Sequence, residues 1–241
     1  PERVRTLRSA ASGAADVSPD LMRDVRRRFA PESFRAYGMT ECPFVTTARP
    51  GDPEDKCVLT DGRPGPGCRI RVVDDSGRDV PVGTEGELLV FGPQLFVGYL
   101  DASLDRDAFA PDGSFRSGDL GILDEDGYLR ITGRKKDIII RKGENISARA
   151  VEEDVAAHPA VAEVAVIGLP DAERGERVCA VVVPKDPTIR TLATREVAEF
   201  LVSRGVMRQK CPEQIEIVAE LPRNALGKVK KAELRKRFAK G

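Results

Sequence analysis

Short apolar runs alternate with turn sequences between residues 68 and 132. The runs CRIRVV, GELLVF, LGIL and YLRIT are followed by DDSG, GP, DEDG and GRKKD, respectively. Runs of this length, bounded by Gly, Pro and Asp, predict β-strands joined by tight turns. We therefore expect a small antiparallel β-barrel or sheet subdomain over 56–135.

Strands and helices alternate after residue 136, where the pattern predicts a separate, mobile α+β domain over 136–241. Apolar strands are expected at DIIIR, VAEVAVIGL, RVCAVVV and QIEIV, with helices over 147–157 and 194–203 and a basic helix at the C-terminal end. The segment 133–137 is charged and has no apolar residue, so it can act as a hinge without losing core contacts.

One helix is predicted near the N-terminal end of the chain. Residues 18–20 (Ser-Pro-Asp) have the composition of a helix start. Leu21, Val25 and Phe29 then recur every four residues, which predicts a single packed face. This face is expected to point into the protein.

The remaining part of the first 67 residues predicts one strand and a loop. FRAY (34–37) is a short strand pattern, and 50–67 is dense in Pro, Gly and charge. Within it, DGRPGPG has no lysine and no following helix, so we interpret it as a turn rather than a phosphate loop. One helix and one strand cannot complete a sheet, so 1–55 is expected to be the end of an α/β subdomain whose N-terminal part is missing. The predicted fold class is mixed α/β.

Net charge and hydropathy exclude several classes of protein. Lys plus Arg and Asp plus Glu both number 39, so the formal net charge is zero. Such a chain lacks a general attraction to nucleic acid or anionic lipid. No apolar run approaches the roughly 18 residues of a membrane span, and the first residues lack a signal-peptide core. We expect a cytoplasmic protein with no nucleic-acid partner and no integral membrane contact.

Five cysteines and one histidine limit the available chemistry. The cysteines form no Cys-x-x-Cys pair, so a zinc site or a Cys/His catalytic pair is hard to assemble. We expect reduced, mostly buried thiols. His158 precedes Pro159 at a predicted helix end, and we interpret it as a structural cap rather than a catalytic base.

Two short motifs indicate a nucleotide site. Tyr37-Gly38-Met39-Thr40-Glu41 follows a strand, and its hydroxyl and carboxylate suit a Mg²⁺-bound phosphate while its ring suits a purine. Ser117-Gly118-Asp119 lies between two strand patterns, where a carboxylate can accept hydrogen bonds from both ribose hydroxyls. Each motif taken alone is more often an ordinary turn.

Two further motifs carry conspicuous cations. GRKKDIIIRKGENIS (133–147) places Arg134 and Lys136 beside the nucleotide candidate, before a strand and a glycine-containing loop that opens a helix. LPRNALGKVKKAELRKRF (221–238) places Lys228 on a loop from which its long side chain can reach into a cleft. The alternatives are a charged interdomain linker and a solvated basic helix face.

Six segments in this order resemble the acyl-adenylate-forming family of acyl-CoA synthetases, peptide-synthetase adenylation domains and luciferases. They are YGMTE, GELLVFGPQLFVGY, FRSGDLG, GRKKDIIIRKGENIS, HPAVAEVAVIGLPDAERGE and LPRNALGKVKKAELR. Each segment alone is a weak signal, whereas six in order rarely occur by chance. The family uses ATP to convert a carboxylic acid into an acyl-adenylate and then transfers the acyl group to a thiol. The resemblance therefore implies ATP or AMP, Mg²⁺, CoA and a small-molecule carboxylic acid as ligands.

The resemblance also assigns roles to individual residues. Contacts with ATP or AMP would come from Gly13, Ala14, Tyr37, Gly38, Thr40, Asp119 and Arg134. The residues acting in catalysis would be Thr40, Glu41, which also holds Mg²⁺, and Lys228, which bridges the carboxylate and the α-phosphate. Lys136 would be the hinge residue, and Gly143 and Glu144 would lie along the path of CoA.

This sequence departs from the family pattern in two places. It has no glycine-rich, Ser/Thr-rich phosphate loop, so the chain alone is expected to be inactive. Lys142-Gly143 stands where the family commonly has two glycines. KDIIIRKGENIS favours an acyl-CoA synthetase for a free fatty, alicyclic or aromatic acid. The alternatives are an enzyme that loads a carrier protein and a non-catalytic, nucleotide-binding fragment.

Overall fold

A computed structural model of the protein describes residues 6–13, 17–225 and 227–239. The chain divides into two compact units, Pro1–Thr132 and Gly133–Gly241. The mixed α/β class predicted from the sequence is confirmed, while the three predicted domain ranges stay predictions.

The first unit begins with two small sheets. The strands β1 (Ala11–Ser12) and β2 (Phe34–Arg35) are parallel and are connected through helix α1 (Pro19–Arg28). A second sheet follows, with β3 (Tyr37–Met39), β4 (Cys42–Thr47) and β5 (Arg63–Pro64) in that order.

Helix α1 starts where the sequence predicts but buries a different face. Ser18 caps it, because its side-chain oxygen accepts a hydrogen bond from the backbone N–H of Leu21 (3.2 Å). Leu21 and Phe29, however, are about half exposed, and Met22 is the buried residue of the helix. The prediction of the packed face was wrong, because a single four-residue spacing does not say which side of a short helix meets its neighbours.

The predicted loop over 50–67 also contains a helix, α2 (Glu54–Leu59). Pro53 precedes two acidic residues in the first turn, and both features favour a helix start. Cys57 and Val58 are buried on this helix. The density of Pro and Gly around it concealed these signals in the sequence.

An open, four-stranded sheet forms the rest of the first unit, and its last strand ends two residues past the boundary at Thr132. Its strands are β6 (Arg69–Val73), β7 (Gly86–Phe91), β8 (Phe115–Leu123) and β9 (Leu129–Arg134), in the order β6-β7-β8-β9. The sequence predicted either a small β-barrel or a sheet, and the structure has the sheet. A 3₁₀ turn (Ala102–Leu104) and helix α3 (Asp105–Ala108) lie between β7 and β8.

The second unit is built on a five-stranded sheet. Four strands follow the order β11-β10-β13-β12, and β14 pairs with β13. The strands are β10 (Ile138–Arg141), β11 (Glu144–Ser147), β12 (Val161–Asp171), β13 (Gly175–Pro184) and β14 (Gln214–Ile217). The helices are α4 (Ala148–Ala156), α5 (Thr194–Ser203) and α6 (Lys231–Phe238).

Both faces of this sheet are covered, which explains the continuous apolar runs in β12 and β13. Val166 of β12 packs with residues of α4 and α5, whereas its neighbours Ala165 and Ile167 pack with Leu234 of α6. Successive side chains of a strand point to opposite faces. Helices α4 and α5 therefore cover one face, and α6 covers the other.

The cysteines and the histidine have the structural character that the sequence predicts. All five cysteines are buried and free of disulfides. His158 is buried and its Nδ1 accepts a hydrogen bond from the backbone N–H of Ala160 (3.3 Å), while its ring packs edge-on against Phe200. None of the helices in the described ranges combines the length and the apolar composition that a bilayer crossing requires.

Candidate functional site

The first unit brings Tyr37 and Asp119 together across 82 positions of sequence. The hydroxyl of Tyr37 donates a hydrogen bond to Oδ2 of Asp119 at 2.7 Å. Asp119 is buried, and the ring of Tyr37 is half-buried against the apolar clusters of the first unit. A carboxylate offers about four lone-pair positions, so this bond leaves acceptor capacity for a further ligand hydroxyl.

Asp119 lies in a β-bulge of β8, not in the turn between strands that the sequence predicts. Across β7 and β8 the register moves from Leu89 opposite Arg116 to Glu87 opposite Leu120, so two extra residues stand in β8. Gly118 supplies the left-handed backbone conformation (φ +66°) that the bulge needs.

Thr40 and Glu41 form the tip of the β3–β4 hairpin, between the paired residues Met39 and Cys42. Thr40 is exposed and Glu41 is half-buried. Oε1 of Glu41 accepts a hydrogen bond from the hydroxyl of Tyr99 at 2.9 Å. Burial, together with this hydrogen bond, raises the pKa of the Tyr99 hydroxyl, so Tyr99 remains a neutral donor that orients Glu41.

An aromatic cluster supports the Tyr99 side of this hairpin. The rings of Phe96, Tyr99, Phe109 and Phe115 lie 4.8 to 5.8 Å apart. The backbone N–H of Phe96 donates to the carbonyl of Glu41 at 2.8 Å. The cluster therefore fixes both the backbone and the side chain of Glu41, a contribution that the sequence pattern did not reveal.

Two glycines allow the backbone segments to approach closely here. A Cβ on Gly38 would lie 2.0 Å from the carbonyl oxygen of Pro43, across the hairpin. A Cβ on Gly13 would lie 2.9 Å from the carbonyl oxygen of Ala36, directly before Tyr37. Gly13 thus lies beside the predicted motif, while Ala14 falls outside the described residues.

Replacing Gly38 by alanine should destabilise the protein by about 3 kcal/mol or more, because the backbone of Pro43 must move to admit the new methyl group. Thermal or urea-induced unfolding would measure this loss. Gly65→Ala is the matched control, since its new Cβ would meet nothing closer than 3.8 Å. Equal stabilities of the two variants would contradict the close approach at Gly38.

The sequence pattern did not reveal a buried ion pair that involves Arg35, two residues before Tyr37. Arg35 and Asp61 approach to 2.9 Å with side chains about 9% exposed, and the other oxygen of Asp61 accepts the backbone N–H of Ile131 at 2.9 Å. Thr46 donates to the carbonyl of Asp61 and accepts the backbone N–H of Tyr37 at 3.2 Å. Asp61 belongs to the segment DGRPGPG, for which the sequence predicted only a turn.

The donor chemistry of the hairpin tip fits Mg²⁺. Among the described residues, no three His, Cys, Asp or Glu side chains cluster as a metal site would require. Mg²⁺ commonly binds through one or two carboxylates together with substrate phosphates. The carboxylate of Glu41 and the hydroxyl of Thr40 could therefore complete the shell of a metal that arrives with a nucleotide.

The predicted hinge segment has regular structure. Arg134 ends strand β9 and is half-buried, and residues Lys135–Asp137 form a 3₁₀ turn in which Lys136 is exposed. Asp137 accepts a hydrogen bond from Arg235 at 2.7 Å. Burial alone would raise the pKa of the Asp137 carboxyl, but Arg235 and Lys231 outweigh it and the pKa is lowered.

Lys142 and Gly143 form the two-residue turn between β10 and β11. Arg141 pairs with Glu144, and both turn residues have positive φ, +51° for Lys142 and +81° for Gly143. These angles define the twist-matched hairpin turn that favours glycine. The prediction of a loop that opens the helix directly was wrong, because strand β11 separates this turn from α4. Gly143 and Glu144 are exposed on it.

Lys228 is an exposed residue in the segment before α6. Its backbone N–H donates to Oδ1 of Asn224, and its carbonyl accepts the backbone N–H of Asn224, both at 2.9 Å. Nη1 of Arg223 donates to the carbonyl of Gly227 at 2.6 Å, and Arg223 also pairs with Glu163. These contacts fix the backbone from which the lysine side chain extends.

The alternative of a solvated basic face does not hold for all of α6. Lys231 pairs with Glu152 at 2.8 Å and Arg235 pairs with Asp137, with all four side chains largely buried. The remaining basic residues of the helix, Lys236 and Arg237, are exposed.

Comparison with known proteins identifies the family that has this fold and these motifs. A model of the AMP-binding enzyme family matches residues 2–100, and a model of the AMP-binding enzyme C-terminal domain matches residues 150–228. The chain belongs to the AMP-binding enzyme family.

Individual relatives show the range of reactions in this family. The chain is 41% identical to an indoleacetate–CoA ligase of Aromatoleum aromaticum, over 98% of this chain and 46% of that protein. It is 40% identical to a salicyl-AMP ligase / salicyl-S-ArCP synthetase of Mycobacterium tuberculosis, over 96% and 40%. The ATP-bound structure of MatB from Rhodopseudomonas palustris matches with a TM-score of 0.86 and 36% identity, over 95% and 45%. The chain thus spans about half the length of these relatives.

Proposed function

We propose that the full-length protein is an AMP-forming acid–thiol ligase that activates a carboxylic acid as its acyl-adenylate and then forms a thioester with CoA. The observation that carries the proposal is the assembly in the first unit, where Asp119 and Tyr37 are hydrogen-bonded beside the Thr40–Glu41 hairpin tip. An acidic acceptor, an aromatic ring and a hydroxyl–carboxylate pair together suit a ribose, a purine and a phosphate. The ATP-bound relative and the CoA ligase among the relatives support these ligands.

The proposed roles follow the chemistry of each group. Asp119 accepts hydrogen bonds from ribose hydroxyls, and Tyr37, whose hydroxyl is fixed by Asp119, presents its ring to adenine. Thr40 donates to phosphate, Glu41 holds Mg²⁺, and Arg134 adds a cation near the nucleotide. When bound, the metal would neutralise phosphate charge. Gly13, Ala14 and Gly38 are assigned to the same nucleotide contacts, and the close backbone packing at the two glycines supports the segment that carries Tyr37.

The second unit supplies the groups that would distinguish the two steps. Lys228 bridges the carboxylate and the α-phosphate as negative charge gathers between them, a demand that a mobile cation meets without a general base. Lys136 is the hinge. Gly143 and Glu144 line the path of the thiol, where the exposed hairpin turn leaves room for a pantetheine arm.

A second candidate acceptor is a carrier protein. The relative named salicyl-AMP ligase / salicyl-S-ArCP synthetase is as similar to this chain as the CoA ligases are. Both acceptors present a thiol at the end of a pantetheine arm, so the Lys142-Gly143 hairpin suits either one. The prediction that residues 1–241 alone are inactive belongs to this proposal.

Replacing Asp119 by asparagine should weaken AMP binding by the full-length protein about tenfold or more, because one acceptor oxygen becomes an amide donor and the remaining hydrogen bond loses its charged acceptor. Tyr37→Phe should weaken binding less, since it removes only the hydroxyl that orients the carboxylate. Isothermal titration calorimetry measures both effects. Asp79→Asn is the control, an exposed carboxylate that pairs with Arg71. Unchanged affinity in Asp119→Asn would exclude it from the nucleotide site.

The function itself is tested by acid-dependent pyrophosphate exchange. The full-length protein with ATP and Mg²⁺ is screened over straight-chain, aromatic and alicyclic acids, and the best acid is then offered with CoA or with a carrier protein. We expect exchange with one acid class and thioester formation with CoA. Absence of exchange with every acid would refute the proposal, and transfer only to the carrier would favour the second acceptor.

A further inference from the structure

Helix α6 presents one face made of apolar and basic residues to the rest of the second unit. Leu234 is 1% exposed and packs with Phe238 against strands β12 and β13. Lys231 and Arg235 flank these residues at the helical spacing of four. Their side chains are only 18% and 33% exposed. The helix is therefore held by its core contacts and by two ion pairs along the same face.

The two ion pairs lead to different parts of the unit. Lys231 contacts Oε1 of Glu152 on α4 at 2.8 Å, and the same oxygen accepts the backbone N–H of Val166 on β12 at 2.7 Å. Arg235 contacts Asp137 at 2.7 Å, immediately after Lys136. One pair ties α6 to the body of the unit, and the other ties it to the hinge segment.

The loop that carries Lys228 is joined directly to this helix. α6 begins at Lys231, three residues after Lys228, and the backbone N–H of Lys230 donates to the carbonyl of Pro222 at 2.8 Å. Arg223 anchors the opposite side of the loop to Glu163 of β12. A displacement of α6 would therefore displace Lys228.

The Lys142-Gly143 hairpin is connected to the hinge in another way. Strand β10 begins at Ile138, so the hairpin follows the hinge along the chain. Lys228 lies some 90 residues further on, and the Asp137–Arg235 pair is a direct non-covalent link between its helix and the hinge segment. The position of Lys228 relative to the hinge therefore depends on the Asp137–Arg235 pair, whereas the Lys142-Gly143 hairpin is attached to the hinge through the chain itself.

We propose that Asp137 and Arg235 are positioning residues. Their ion pair couples the hinge segment to α6 and so keeps the loop that carries Lys228 in the position needed for acyl-adenylate formation. The inference rests on the proposed function, because it takes Lys228 as the adenylating lysine and Lys136 as the hinge. The pair acts through the helix and touches no substrate. Its loss should therefore affect the step that uses Lys228 and spare the step that uses the Gly143 hairpin.

Two half-reactions measured on the full-length protein test the pair. Arg235→Ala and Asp137→Asn should slow acid-dependent pyrophosphate exchange about tenfold, which is less than the roughly hundredfold loss that a 1 Å misplacement can cause. Thioester formation from supplied acyl-adenylate should change less than about twofold. Arg235→Lys, which keeps the charge at that position, should recover most of the exchange rate. Arg195→Ala removes an exposed pair with Glu199 on α5 and should change neither reaction.

Hydrogen exchange gives a readout that needs no activity. Amides over 223–229 and 133–138 should exchange faster in Arg235→Ala than in the wild-type protein, while Arg195→Ala leaves both segments unchanged. If the wild-type protein shows no pyrophosphate exchange, the proposed function fails, and this comparison still decides the coupling. Unchanged exchange at 223–229, or equal losses in both half-reactions without rescue by Arg235→Lys, would overturn the proposal.

Discussion

Substituting Lys228 by alanine in the full-length protein should slow acyl-adenylate formation by about a hundredfold to a thousandfold, the loss seen when a preorganised donor to transition-state charge is removed. The loop contacts at Asn224 involve only the backbone of Lys228, so they survive the substitution. Thioester formation from supplied acyl-adenylate should be nearly unchanged. Pyrophosphate exchange and acyl transfer, measured separately, provide the comparison.

Lys230→Ala is the matched control for this experiment. Lys230 lies two residues further along the same loop, carries the same charge and pairs with Glu233 at 2.8 Å. We expect it to leave both half-reactions within about twofold of the wild-type rates, because exposed ion pairs contribute little. Equal losses in both half-reactions for Lys228→Ala would assign that lysine a structural role or a role in both steps.

The second large effect is expected at the hinge, where Lys136→Pro should preserve adenylation while acyl transfer falls about tenfold or more. Proline fixes φ near −65°, a value that suits the 3₁₀ turn Lys135–Asp137. A domain held in the adenylating orientation rarely reaches the orientation needed for acyl transfer. The rate of acyl transfer then falls in proportion to the population of that second orientation. The same two half-reaction assays measure the result.

Lys136→Ala separates the backbone effect from the side-chain effect. It removes the charged side chain but leaves φ free, so both half-reactions should stay within about twofold of the wild-type rates. If Lys136→Pro produced small, parallel losses in the two steps, the segment would be an ordinary surface connection in which proline has only a modest effect on stability.

Elements of the second unit were predictable because local and global signals agree there. The runs VAEVAVIGL and RVCAVVV are apolar at nearly every position, which requires a strand covered on both faces, and β12 and β13 are such strands. Gly205, with φ +88°, follows α5 at the predicted end. In such segments a few neighbouring residues are enough to predict the secondary structure.

Predictions failed where the outcome depended on which neighbours a segment meets. Leu21 and Phe29 have the spacing of a packed face, but the neighbours of α1 lie on the side of Met22. The bulge around Gly118 arises from the register of β8 against β7, and a Gly-Asp pair in a sequence looks the same in a turn.

The sequence by itself predicted the strands over 68–132, most strands and helices after residue 136, and the motifs that indicate an acyl-adenylate-forming enzyme. The prediction of one strand in the first 67 residues was wrong, because the short strands β1, β3, β4 and β5 form only where another segment pairs with them. Periodicity, capping residues and turn residues act over a few positions, so they can be recognised without a structure. Only the tertiary structure decided that Tyr37 meets Asp119, that Arg35 lies buried against Asp61 and that Arg235 reaches Asp137. These pairs join residues 26 to 98 positions apart, and their contacts exist only because packed strands and helices bring distant segments within hydrogen-bonding distance.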